Sequence, residues 1–359
     1  MIGVVIRDLP YLKLLHPICE QFVVLGKPYT LYHWDAPRGS KEYNRASLKN
    51  INKSSPGVVS GAARVKAFSN DKQLFKQLEA DKIDKLVSVE IWLWAKSYLH
   101  WFKKNQVKTY SILYLTDSIW QPPESITSVY RVYYGSSYLM RAHHDFAGIK
   151  PLPTRDRAIG SPIFDPLPNV PSQGKDILIL LPNLRKEHVQ PAFGNAKRFI
   201  QMIDKISQGG NLIFKTRKKQ WLPNEIKPYA KEIIEDGDIM YPPVIADLFA
   251  RCYSTVMFFS SGIYECVSGG QYVYNITIPL GRWGWDKKKL QRYFSTTAPA
   301  VYQFPGVVES VDQDTVLGDW QFKPRHIDPV RREEWIKKFI GSAGGAEAIA
   351  KDIVNGSNY

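Results

Sequence analysis

Along this 359-residue chain, short β-branched apolar runs alternate twice with helix-length segments, and a proline-rich break separates the two series. No other feature constrains the fold as much. Parallel neighbours in a sheet cannot be joined by a tight turn, so each crossover carries a helix, and this spacing predicts parallel sheets. The first series predicts strands over 3–7, 29–33, 85–90, 109–115 and 131–134, with helices over 9–26, 71–80 and 92–102. Residues 38–61, rich in Lys, Ser, Asn and Gly and without periodicity, read as a long loop. The break over 159–174 holds four prolines in sixteen residues and reads as a linker. The second series predicts strands over 176–181, 211–215, 255–259 and 272–276, and helices over 191–208, 244–252 and 262–268. The expected organisation is therefore an α/β domain over 1–160, a linker over 161–175, and a second α/β domain over 176–328. A tail over 329–359 follows, whose two helices (329–340 and 346–354) are expected to pack back toward the first domain. Two such domains are expected to face a cleft at the carboxyl ends of their strands, where open α/β sheets bind ligands.

Composition narrows the class of protein. Hydrophobic residues make up 44%, with 16 Phe, 20 Tyr and 10 Trp, enough for large cores and against dominant disorder. No apolar run reaches the ~18 residues of a membrane helix, and the opening Met1-Ile-Gly-Val-Val-Ile reads as a first strand rather than a signal peptide. Three cysteines without a C-x-x-C spacing argue against a disulfide scaffold or structural zinc and favour a reducing, cytoplasmic setting. With 48 Lys and Arg against 34 Asp and Glu, the formal charge is +14, which favours an anionic partner: nucleic acid, an anionic membrane surface or a phosphorylated substrate.

Several strand ends carry candidate chemistry. In Phe258-Phe-Ser-Ser-Gly-Ile-Tyr-Glu265 an apolar strand runs into Ser260, Ser261 and Gly262 and then a helix. The hydroxyls and free backbone N–H groups suit a diphosphate, and Glu265 suits the two hydroxyls of a ribose. The same residues also suit plain helix capping by a serine and Glu265. Lys215 and Arg217 leave a strand two residues apart, hence on one side, and are candidates to neutralise phosphate, with Arg185 a third cation at the same edge. In the first domain Asp117 closes the run Tyr114-Leu115-Thr116-Asp117 and is the candidate general base toward a hydroxyl acceptor, an Asx-turn being the alternative. Asp8 and Asp35, which also follow strands, are weaker acceptor-side candidates. His143-His144 lacks a third ligand, so no metal site is expected, and neither a G-x-G-x-x-G nor a Walker lysine motif is present.

With these motifs the layout resembles the GT-B glycosyltransferases, whose two Rossmann-like domains hold a nucleotide-sugar mainly on the second. The stretch from Asp238 to Cys252 followed by Phe258–Glu265 is similar to the donor region of the branch containing bacterial surface-polysaccharide and CDP-glycerol transferases. Ile159-Gly-Ser-Pro-Ile-Phe-Asp165 is similar to the passage that closes the first domain there. The His-Gly often found after the fourth strand of that branch is absent, and Thr116-Asp117 stands in its place. That segment, with Pro122 behind it, is similar to the one carrying the catalytic aspartate of the T-even phage DNA β-glucosyltransferases.

The resemblance implies an inverting, metal-independent glycosyltransferase with no tightly bound cofactor and a nucleoside-diphosphate sugar, such as a UDP-sugar, as co-substrate. It places the donor on Arg185, Lys215, Arg217, Ser260, Ser261, Gly262 and Glu265, makes Asp117 the base and, for a DNA acceptor, puts Trp120 on the acceptor side, a core role being the alternative. The expected acceptor is anionic, a glycan or a lipid-linked, teichoic-type molecule, with hydroxymethylated DNA as the alternative. The setting is the cytoplasm or the inner membrane surface. A nucleotide-sugar epimerase and a non-enzymatic nucleic-acid-binding protein remain the other classes.

Overall fold

The computed structural model describes residues 1–35, 46–90, 96–113, 126–167, 174–182, 189–216, 222–235, 241, 243–258, 260, 262–278 and 298–356. The chain divides into two compact units. The first comprises Met1–Asp165, Asp238–Pro243 and Ile340–Tyr359; the second comprises Pro166–Gly237 and Val244–Phe339.

The first unit is built on seven parallel strands: β1 (Ile2–Ile6), β2 (Tyr29–Trp34), β3 (Arg64–Phe68), β4 (Lys85–Val89), β5 (Lys108–Ile112), β6 (Arg131–Tyr134) and β7 (Asp156–Ala158), in the order β3-β2-β1-β4-β5-β6-β7. Every residue of β1 is buried, as a strand covered on both faces must be. Helix Leu12–Val24 and the terminal helix Gly345–Asn355 cover one face, where Ile349, Ala350 and Ile353 join Val4, Ile18 and Phe22 in one core. Both ends of the terminal helix are capped by distant residues. The Asp165 carboxylate accepts from the N–H groups of Gly344, Gly345 and Ala346 at 3.0, 3.3 and 2.8 Å. At the other end Lys85 Nζ donates to the carbonyls of Ile353 and Val354 at 2.7 and 2.8 Å. Gly160, at φ +97°, lets the chain pass against this region, since a Cβ there would lie 2.2 Å from the Ser342 carbonyl oxygen. Gly160 and Asp165 of the domain-closing passage thus act by seating the terminal helix.

The loop expected over 38–61 is a helical segment in its described part. Helices Leu48–Ser54 and Pro56–Ser60 fill it, started by the Ser47 side chain accepting from Asn50 N–H and by a proline in the first turn. Each is too short for its few buried positions to create a visible period.

The second unit has six parallel strands: β8 (Asp176–Leu180), β9 (Leu212–Thr216), β10 (Ala230–Glu235), β11 (Cys252–Met257), β12 (Tyr272–Ile276) and β13 (Val308–Val311), in the order β10-β9-β8-β11-β12-β13. The helix expected over 191–208 is two helices, Val189–Phe193 and Ala196–Ser207, broken at Gly194 (φ +81°) and restarted by the Asn195 side chain. Helix 244–252 is shorter than expected, Ile245–Phe249, because β11 already begins at Cys252. Of the two tail helices, Pro329–Phe339 belongs to the second unit rather than to the first. Its fully buried Trp335 donates from Nε1 to the Val301 carbonyl at 3.1 Å, and its buried Arg332 donates to Val267.

Candidate functional site

In each sheet the chain order reverses once, between β1 and β4 and between β8 and β11. The crevice outside the strand carboxyl ends at such a reversal is where open α/β sheets take ligands.

In the second unit, Ser260, Gly262 and Glu265 follow β11 at that reversal. Phe258 is buried against Phe193 and Phe199, with ring centroids 5.6 Å away in both cases, and this anchors the strand exit. The Ser260 carbonyl accepts from Ile263 N–H at 3.1 Å and from the Tyr302 hydroxyl at 3.2 Å. Its side-chain oxygen accepts from Gly262 N–H at 3.2 Å. Gly262 comes so close to β8 that a Cβ there would sit 2.8 Å from Leu180 Cδ1. Gly262 is the N-cap of helix Ile263–Ser268 and supplies no side-chain cap, so the Ser260 hydroxyl closes a tight turn and does not cap the helix.

That helix has six residues, and its other end is held by Arg332, which donates to the carbonyls of Val267 (3.0 Å) and Ser268. Trp335 packs its ring 5.6 Å from Tyr264. Helix Pro329–Phe339 therefore braces the turn that carries Glu265.

Lys215 lies on β9 in register with Leu180 of β8, and its carbonyl accepts from Leu181 N–H at 3.2 Å. Burial pushes the Cys266 thiol up; a hydrogen bond with Thr255 and the charge of Lys215 oppose that shift, and Glu265 adds to it. The structure thus brings Lys215, Ser260, Gly262 and Glu265 to one end of one sheet. Arg185, Arg217 and Ser261 lie outside the described residues.

In the first unit, Asp8 follows β1 and Asp35 follows β2, its N–H donating to the Phe68 carbonyl at 2.9 Å. Asp117 and Trp120 lie outside the described residues. Sequence reasoning missed Glu90, which follows β4 at the reversal. It is 8% exposed, has φ +52°, and donates its N–H to the Ile112 carbonyl at 3.1 Å. A glutamate held left-handed costs roughly 1–2 kcal/mol, the kind of local strain that collects at working sites. The available signal was a carboxylate closing an apolar run.

His143 and His144 are core residues of helix Ser137–Ala147, packed on Tyr134, and His144 Nε2 lies 3.2 Å from the buried Asp156. Among the described residues no group of His, Cys, Asp and Glu is arranged to hold a metal, and no helix is long and apolar enough to cross a membrane.

No protein-family model matches the sequence, and no curated protein matches it. Solved structures do match in fold. UDP-GlcNAc 2-epimerase from Neisseria meningitidis bound to UDP-GlcNAc is 12% identical with a TM-score of 0.61, covering 99% of this chain and 100% of that one. Arabidopsis thaliana UGT89C1 complexed with UDP-L-rhamnose is 13% identical with a TM-score of 0.55, covering 98% and 97%. The glycotransferase of kitacinnamycin is 11% identical with a TM-score of 0.51, covering 99% and 94%. The chain has the GT-B fold, two Rossmann-like α/β units, which glycosyltransferases and UDP-GlcNAc 2-epimerases share.

Proposed function

We propose that this protein is a glycosyltransferase that moves a sugar from a nucleoside-diphosphate donor to a hydroxyl acceptor with inversion at the anomeric carbon. The observation that carries the proposal is the Ser260–Gly262–Glu265 segment at the reversal of the second sheet, with Lys215 of β9 at the same end of that sheet. Those groups match a nucleoside diphosphate: a carboxylate for the ribose diol, a hydroxyl and a cation for the diphosphate. Nucleotide sugars bound in solved structures of this fold support the same donor class.

In this reading Arg185, Arg217 and Ser261 extend the donor set. Asp117 takes the acceptor proton as the acceptor oxygen attacks, and Lys215 with Arg217 offsets the charge that develops on the leaving diphosphate. The acceptor is an anionic glycan or lipid-linked molecule handled at the cytoplasmic side. The +14 charge keeps hydroxymethylated DNA as the alternative acceptor.

A second reading, a nucleotide-sugar 2-epimerase, is favoured by the full-length likeness to the Neisseria meningitidis enzyme. A panel of UDP-, GDP-, CDP- and dTDP-sugars separates the two. A donor at ~100 times its Kd adds about 2.7 kcal/mol of stability, visible as a thermal shift. A transferase releases nucleoside diphosphate only when acceptor is added. An epimerase interconverts the sugar without acceptor, and a panel with no shift and no turnover overturns both.

A further inference from the structure

A cavity of 560 Å³ opens at the amino ends of β5 and β6. This is the end of the first sheet opposite to the one that carries Asp8, Asp35 and Glu90. His100, Lys103, Lys108, Thr127, Ser128 and Tyr130 line it, and no carboxylate is among its described lining residues. Lys103 and Lys108 are exposed, so their charge is presented to solvent rather than spent on the core, and His100 is exposed as well. Tyr130 is 37% exposed, so part of its ring is open to solvent. It is nonetheless held in place. Lys108 Nζ lies 4.9 Å and Arg131 Cζ 5.3 Å from its ring centroid, and Tyr110 meets it edge-on at 5.5 Å. Its backbone N–H donates to Thr109 Oγ1 at 3.2 Å.

We infer that this cavity binds single-stranded nucleic acid, with the phosphodiester backbone on Lys103 and Lys108 and one base stacked on Tyr130. Cations and hydroxyls without a competing acid suit phosphodiesters. A fixed, exposed ring beside them suits the sequence-tolerant stacking by which proteins hold unpaired bases. An anionic membrane would use the same cations but gives no reason for a partly exposed ring held by two cations and a second tyrosine. The +14 charge supplies the long-range attraction. The inference uses no nucleotide-sugar and stands whether or not the proposed transfer reaction does.

The test is fluorescence anisotropy of a labelled short oligothymidylate with the full chain, between about 50 and 200 mM salt. Binding should weaken with salt. Lys103→Glu with Lys108→Glu should weaken it more than tenfold and flatten the log–log salt slope by about 1.4, at roughly 0.7 for each phosphate of a single strand that is no longer neutralised. Tyr130→Ala should cost about ten- to a hundredfold, while Tyr130→Phe keeps the stack and most of the affinity. Lys72→Glu with Lys76→Glu, two exposed lysines on helix Asp71–Ala80, makes the same change in net charge elsewhere. The inference is overturned if the wild-type chain does not bind, if that control weakens binding as much as the cavity pair, or if Tyr130→Ala has no effect. It is overturned equally if phosphatidylserine vesicles bind and the oligonucleotide does not.

Discussion

Glu265 and Lys215 lie at one sheet end, and in the proposed function a diphosphate donor uses both: the cation for its phosphates and the carboxylate for its ribose. Glu265→Ala, and Ser260→Ala combined with Ser261→Ala, should each weaken donor binding by about ten- to a hundredfold. That is what losing a hydrogen bond to a charged partner costs, roughly 1.5–3 kcal/mol. Calorimetric titration with the donor checks it, and unchanged affinities in both variants would leave this turn a purely structural feature. The acceptor-side base is a separate question of residue chemistry. If Asp117 is the base, as the proposed function has it, Asp117→Asn keeps shape and removes it, so turnover should fall ~10²–10⁴-fold with donor affinity retained. Asp8→Asn, Asp35→Asn and Glu90→Gln are the comparisons, since all three acids follow strands of the same sheet. Loss of turnover in Glu90→Gln with activity kept in Asp117→Asn would move the base to the strained glutamate at the reversal.

At the scale of elements, helix Ser137–Ala147 shows how a buried polar cluster ties stability to pH. Tyr134 hydroxyl lies 3.1 Å from His143 Nδ1 and 3.3 Å from His144 Nε2. Asp156 accepts from Arg155 at 2.8 and 2.7 Å and from Leu152 N–H at 2.8 Å. Burial pushes the His143 imidazole down to about 4, with His144 adding to the shift, Asp156 opposing it and Arg155 assisting. An unfolded histidine binds its proton near pH 6.5, so the unfolded state holds more protons between about pH 6.5 and 4, and stability must fall as pH falls through that window. His16 and His33, both lowered chiefly by burial, act in the same direction. For Asp156, burial raises the pKa, but His144, Arg155 and the Leu152 N–H overcome it and bring it down to about 2. Its stabilisation is present above the unfolded aspartate range and is lost as pH falls toward 2. Urea midpoints measured from pH 7 to 4 should decline for the wild type and decline less steeply for His143→Gln; parallel curves would exclude His143 as a contributor. The same scale explains what could be read from sequence. All nine strands read from the sequence are interior strands. The four that escaped notice, β3, β7, β10 and β13, are the edges of the two sheets. Edge strands here are partly solvated: β10 alternates intermediate and exposed residues throughout, and β3 carries Arg64 and Lys66. They therefore lack the continuous apolar run that a doubly covered parallel strand must have. The strand exit at Ser260 and Gly262 was legible as a turn into a helix because hydroxyls and a glycine follow an interior strand. Glu90 was not, because nothing in its residue type announces a left-handed backbone.

At the scale of the molecule, neither unit is one continuous piece of sequence, and the first is finished only by the last twenty residues, Ile340–Tyr359. That arrangement has an energetic consequence. Ile349, Ala350 and Ile353 are fully buried in the first unit's core, and each isoleucine contributes about 1.5–3 kcal/mol by burial. Removing the helix also takes the three N–H groups from Asp165 and takes Asp352, whose carboxylate holds buried Arg131 and accepts from the Tyr133 hydroxyl at 2.7 Å. Against a domain stability of about 5–15 kcal/mol these losses are decisive. The contacts of Trp335 and Arg332 lie within the second unit, whose last residue is Phe339, so they survive the truncation. A chain ending at Phe339 should therefore lose the unfolding transition of the first unit and keep that of the second. If the donor sits on Lys215, Ser260 and Glu265, the surviving transition should still move upward with nucleotide-sugar, by the same ~2.7 kcal/mol at a hundredfold excess over Kd. Differential scanning calorimetry with and without donor reads both effects. One transition, lowered as a whole by the truncation, would mean that the chain unfolds as a single cooperative body and that the terminal helix supports both units.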